Sequence, residues 1–130
     1  MSSARAIVAG HGDFAEGLLS AVQQIAGRDD LLDAVSNRNL SAQDVERTLA
    51  QRLDDSGARV IFTDLPAGSC TMAARRLQRQ RPELIVVTGV NLATLLDFVF
   101  HEDLDPADAA YHAAEKGRAA LIATGATRGA

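Results

Sequence analysis

The chain has 130 residues, with 13 basic and 17 acidic side chains and a formal net charge of −4. That length suits one domain, residues 1–130, able to bury roughly two-thirds of its unfolded surface without a disulfide or metal. The mildly acidic balance, with no basic stripe or aromatic platform, argues against nucleic acid; the single cysteine, Cys70, excludes an internal disulfide framework and fits a reducing cytoplasm.

Residues 4–9 form a first strand, apolar and partly β-branched over 6–9, and the short polar stretch 1–5 does not read as a signal peptide. The run ends in Gly10-His11-Gly12. Phe14, Leu18, Val22 and Ile25 then recur at helical spacing, which predicts a helix over 13–26 closed by Gly27. Residues 31–35 form a weaker second strand. Ser41 and Asp44 resemble a capping box, and Val45, Leu49 and Leu53 mark a second helix. Residues 59–63 form a third strand that runs out at Asp64. Pro66 and Gly68 make a turn, and Ser69 is placed to cap a third helix that runs to residue 80 and stops before Pro82. Residues 84–88 form the most apolar strand. The apolar region continues to residue 100, but Thr88, Gly89, Asn91 and Asp97 interrupt it and exclude a membrane span. Asn91 caps a fourth helix with Leu92, Leu95, Leu96 and Val99. Asp105-Pro106 opens a fifth, ending near Gly117. Residues 119–124 read as a short last strand, and residues 127–130 as a frayed end.

Strands alternating with helices imply a doubly wound, mainly parallel four-stranded α/β sheet with helices on both faces. In such a sheet ligands gather at the carboxyl ends of the strands. Two strand ends carry polar residues that the sheet does not require, His11 after the first and Asp64 after the third. If those strands are neighbours, an Asp64 carboxylate can hold one ring nitrogen of His11 and leave the other as a nucleophile. Gly12 and Asp13 open one helix and Gly68-Ser69 another, and helix N-termini suit a phosphoryl group. The candidate set is His11 and Asp64 for chemistry, with Gly12, Gly68 and Ser69 for phosphoryl binding.

Three stretches carry a family resemblance: residues 10–21 from Gly-His-Gly-Asp-Phe-Ala-Glu-Gly, Thr63-Asp64-Leu65-Pro66-Ala67-Gly68-Ser69, and Thr88-Gly89-Val90-Asn91-Leu92. Their order and spacing resemble the mannose-type IIA domain of the bacterial phosphoenolpyruvate:sugar phosphotransferase system over nearly the whole chain. The resemblance implies that the residue matching His11 accepts phosphate from the carrier HPr and passes it to a IIB component, with Asp64 orienting the ring. It also implies a homodimer in which the C-terminal strand, here residues 119–124, is exchanged between protomers. Ala67 and Cys70 depart from that family's Gly-Gly-Ser-Pro motif, and Met72 stands where many members have asparagine. Those departures keep open a phosphorylation-dependent regulator not coupled to transport. The phosphotransfer subunit of a dihydroxyacetone kinase, which shares the fold, is a further alternative that fits the Gly-Val-Asn and Phe-Ala-Glu-Gly stretches less well.

Other features have plainer readings. Cys70 is a small, partly buried side chain rather than a reactive thiol, and Asn91 is a cap. His101 and His112 are surface residues without evident partners, and Arg75, Arg76, Arg79 and Arg81 form a solvated helix face. No set of Cys, His and carboxylates has metal-ligand spacing, so neither a metal nor a cofactor is expected. A flavin or nucleotide binder is disfavoured because the first turn has neither GxGxxG nor a Walker pattern.

Overall fold

Residues 2–127 are described in the computed structural model. Four strands, β1 (Ala6–Gly10), β2 (Leu32–Ser36), β3 (Val60–Thr63) and β4 (Ile85–Val87), pair in parallel in the order β2-β1-β3-β4. Between and after them run α1 (Phe14–Ala26), α2 (Ala42–Ser56), α3 (Ser69–Gln80), α4 (Leu92–Phe100) and α5 (Pro106–Ala119). The period of two in the strands divides the core. Ala6, Val8, Val60 and Phe62 pack with α1, α4 and α5, whereas Ile7, Ala9 and Ile61 pack with α2 and α3. Phe62 meets Phe98 edge to face, with ring centroids 5.1 Å apart.

Local signals set most helix ends. The Ser41 hydroxyl accepts the Asp44 N–H at 3.1 Å, and α1 and α2 close at Gly27 and Gly57. Asn91 and Thr94 cap α4 reciprocally, and Asp105 accepts the Ala107 N–H in front of Pro106. No helix among the described residues is long and apolar enough to cross a membrane.

The order of strands creates the site. The chain leaves β1 for β2 on one side and later places β3 on the other side of β1. The carboxyl ends of β1 and β3 therefore flank the point where the winding reverses, the place where ligands bind in open α/β sheets.

The structure differs in detail from four expectations. Gly68, not Ser69, caps α3, and Ser69 is its first helical residue. The strand over 84–88, the most apolar in sequence, is a three-residue edge strand that stays partly exposed. α5 runs past Gly117 to Ala119, because Ala120 N–H still reaches back to the Lys116 carbonyl at 3.1 Å. Residues 121–124 form no strand: Leu121 and Ile122 lie exposed, since an isolated apolar segment has no ladder to join. Of the frayed end expected at 127–130, all but Thr127 lies outside the described residues.

Candidate functional site

β1 and β3 are paired with Ala9 opposite Thr63, so the two strands run out at the same level. His11 and Asp64 emerge side by side. One carboxylate oxygen, Asp64 Oδ2, lies 2.9 Å from the His11 backbone N–H and 2.6 Å from the ring Nδ1. Gly10 makes room for this approach. A Cβ there would fall 2.7 Å from Phe14 Cδ2 and 3.3 Å from Asp64 Oδ2.

The protonation states follow. Burial alone would raise the Asp64 pKa, but hydrogen bonds from the ring and backbone of His11 outweigh it and hold the carboxyl below the usual range. An ionised carboxylate only accepts, so the shared proton sits on Nδ1. In the neutral ring Nε2 then carries the free lone pair. Exposure divides the roles: the His11 side chain is 49 % exposed and that of Asp64 only 9 %. The second carboxylate oxygen, Asp64 Oδ1, is buried and has no hydrogen-bond partner among the described residues. Positive charge developing on the ring is thus met by a carboxylate shielded from water.

Gly68 walls the ring. Its φ of 115° and ψ of 174° belong to a region that is essentially glycine's alone, and a Cβ there would lie 3.3 Å from His11 Cε1 and 4.0 Å from Nε2. α3 starts immediately afterwards, so its first N–H groups, which lack intrahelical partners, open beside His11. Ser69 Oγ accepts from Asn37 Nδ2 at 3.0 Å. The Gly12 carbonyl accepts from Ser36 Oγ at 2.9 Å. Beneath the turn, the buried Thr63 and Thr71 hydroxyls are 2.6 Å apart and Thr71 donates to the Leu65 carbonyl, fixing the Asp64 loop to α3.

The fold thus brings together His11, Asp64, Gly12, Gly68 and Ser69, and adds three residues that sequence reasoning missed. Ser36, Asn37 and Arg38 all sit at the carboxyl end of β2. Arg38 Nη2 pairs with Asp13 at 2.9 Å and lies 3.4 Å from where a Gly12 Cβ would stand. The signal was present: Ser-Asn-Arg-Asn is a polar run directly after a strand, the same feature that singled out His11 and Asp64.

The remaining candidates separate. Cys70 is fully buried, and burial together with the Asp64 charge pushes its thiol up, against a hydrogen bond from Ser69; it is no activated nucleophile. Arg76 pairs with Glu46 at 2.6 Å and Arg81 with Asp54 at 3.0 Å, while Arg75 and Arg79 flank the exposed Met72. Asn91 caps α4 and also donates to the Gly117 carbonyl at 3.0 Å, tying α4 to α5. His101 and His112 are not isolated surface residues: both reach Asp97.

The family profile described as "EIIA-man: PTS system fructose IIA component" matches residues 5–115. Similar solved structures include the mannose/sorbose-specific IIA subunit of a phosphotransferase system from Enterococcus faecalis (23% identity, 98% of this chain and 98% of that chain, TM-score 0.81). Others are the phosphotransferase system component EIIA from Streptococcus agalactiae (24%, 87% and 93%, 0.76) and the PTS IIA protein associated with the fucose utilization operon from Streptococcus pneumoniae (20%, 95% and 96%, 0.77). At these identities the likeness carries the fold. No curated protein matches the chain.

Proposed function

Because the chain belongs to the mannose-type IIA family of the bacterial phosphoenolpyruvate:sugar phosphotransferase system, we propose that His11 Nε2 carries a phosphoryl group from phospho-HPr to a IIB component. The observation that supports this reading most strongly is the double hydrogen bond from His11 to Asp64 Oδ2, which commits Nδ1 to the carboxylate and leaves Nε2 free. In the loading step the Nε2 lone pair attacks phosphorus in line. A new N–P bond forms as the N–P bond to the donor imidazole breaks and its electron pair returns to that ring. The proton on Nδ1 stays in place, and Asp64 balances the positive charge that the phosphorylated ring acquires. Unloading is the same displacement at phosphorus with the IIB nucleophile as acceptor.

On this reading the phosphoryl oxygens meet the backbone at Gly12 and Gly68 and the N–H groups opening α3, with the Ser69 hydroxyl as a further donor. Asn37 donates to Ser69 Oγ and so does not compete for that hydroxyl's own hydrogen. Arg38 adds a cation at the same edge. Positioning and charge stabilisation supply the catalysis; no metal or cofactor enters.

The domain acts in the cytoplasm, reaching the membrane only through permease subunits. A homodimer completes the reading: among the described residues β4 is an edge strand paired only with β3, and the exposed Leu121 and Ile122 follow on α5, which lies beside it. A partner's C-terminal segment would cover both. Reconstitution with phosphoenolpyruvate, enzyme I and HPr, read by intact mass, is expected to add one phosphoryl group to the chain and none to His11→Ala. Subsequent addition of a IIB component discharges it. Loading without discharge by any IIB would favour the regulatory role, and equal labelling of both proteins would overturn the proposal.

A further inference from the structure

The packing of α4 on α5 brings together three ligand-capable side chains well away from His11. Asp97 and His101 are four residues apart, so one helical turn stacks them on the same face, and His112 approaches from α5. His112 Nδ1 lies 2.7 Å from Asp97 Oδ2. His101 Nδ1 lies 3.5 Å from Asp97 Oδ1 and 2.8 Å from the Asp97 carbonyl, and the two imidazole centroids are 4.5 Å apart. One ligand atom from each of the three side chains falls within 4.8 Å of the other two. The Asp97 side chain is only 11 % exposed, whereas the two rings open to solvent on one side. This cluster belongs to the other edge of the sheet. Arg5, at the entrance to β1, donates to the Leu104 carbonyl at 2.7 Å, which places the end of α4 at the amino edge, opposite His11.

We propose that Asp97, His101 and His112 form a binding site for a divalent transition-metal ion of the zinc class, joining α4 to α5. Two imidazoles and one carboxylate are the donor set that Zn2+ takes in protein sites. The carboxylate is held nearly buried between the helices, and the imidazoles already converge on it. The ion displaces the proton that His112 shares with Asp97, which passes to bulk water, and water fills the coordination positions on the open side. As an ion pair alone the cluster would contribute little, since partly exposed pairs are screened by water. As a metal site it adds a coordinate link between two helices that already share buried apolar contacts and the hydrogen bond from Asn91 to Gly117.

The test is titration of the chelator-stripped full chain with zinc chloride alone, followed by calorimetry, with circular dichroism on every variant. One equivalent is expected to bind to the wild type and to His11→Ala, and the melting temperature of both to rise with zinc. His112→Gln and Asp97→Asn are expected to lose the stoichiometric binding and the thermal shift. His112→Gln removes an exposed ring from the helix surface and keeps the fold, so it decides the matter if Asp97→Asn does not fold. No saturable binding by the wild type, binding that survives His112→Gln, or binding that requires His11 would each overturn the assignment.

Discussion

One oxygen of Asp64, Oδ2, receives both the backbone N–H of His11 at 2.9 Å and its ring Nδ1 at 2.6 Å. The first bond fixes where β1 ends relative to β3. The second fixes the ring about its own axis and settles which nitrogen bears the proton. Strand pairing, loop position and imidazole tautomer are therefore set by a single acceptor atom, and the rest of the site is built outward from it.

Removing that acceptor should affect transfer far more than folding. Asp64→Ala is expected to lower the rate of His11 phosphorylation by about a hundredfold, the order of loss that follows from misplacing a reacting group. The circular dichroism spectrum should be retained, because Asp64 sits on a loop and not within the apolar core. Rapid-quench kinetics with phospho-HPr provide the measurement. Unchanged kinetics in a folded variant would remove Asp64 from the mechanism.

The same carboxylate gives stability a pH signature. Burial works against its ionisation, but the hydrogen bonds from His11 prevail and depress its pKa in the folded state. A depressed pKa stabilises the fold at pH values above the unfolded carboxyl's pKa, about 3.9, and the contribution is lost as the pH falls through the lower folded value. The stability advantage of wild type over Asp64→Asn should therefore shrink as the pH drops below about 4. Urea unfolding of both proteins between about pH 5 and pH 3 tests the sign. An advantage that grew toward acid would contradict it.

Gly68→Ala should damage both fold and site. Its backbone conformation costs a residue with a Cβ about 1–3 kcal/mol, and the new methyl would stand 3.3 Å from His11 Cε1. A lower melting temperature together with slower loading of His11 is expected. A variant unchanged in both would show that the ring does not depend on this approach.

Gly117→Ala tests the α4–α5 contact. In an ordinary helix this exchange stabilises by roughly 1 kcal/mol. Here the added Cβ would collide with Thr94 Oγ1 and come within 3.1 Å of Asn91 Oδ1, breaking the cap of α4. The expected outcome is a net loss of about 1–3 kcal/mol, as for overpacking, measured by denaturant unfolding. A gain would mean that the cap yields at little cost.

What the sequence revealed, and what it hid, divides along range of interaction. Val60–Thr63 and Ser69–Gln80 were legible to within a residue, because an apolar run and an apolar face announce them locally. The caps at Ser41, Asn91 and Asp105 were legible for the same reason. His11 and Asp64 stood out as polar residues at strand ends, and β1–β3 pairing made them neighbours. Asn37 and Ser69 are 32 residues apart, and only the sheet order brings them together. Asp97 and His101 form a local pair, but His112 joins them through helix packing that no spacing encodes. The apolar stretch at 119–124 carries strand propensity, yet a strand exists only where a partner edge is supplied.

The most direct test of the central claim is where the phosphoryl group sits. Long-range proton–nitrogen NMR of the 15N-labelled protein, loaded from phospho-HPr, distinguishes the two ring nitrogens of His11. The geometry predicts phosphorus on Nε2 with the proton retained on Nδ1 beside Asp64. Phosphorus on Nδ1, or on any residue other than His11, would contradict it.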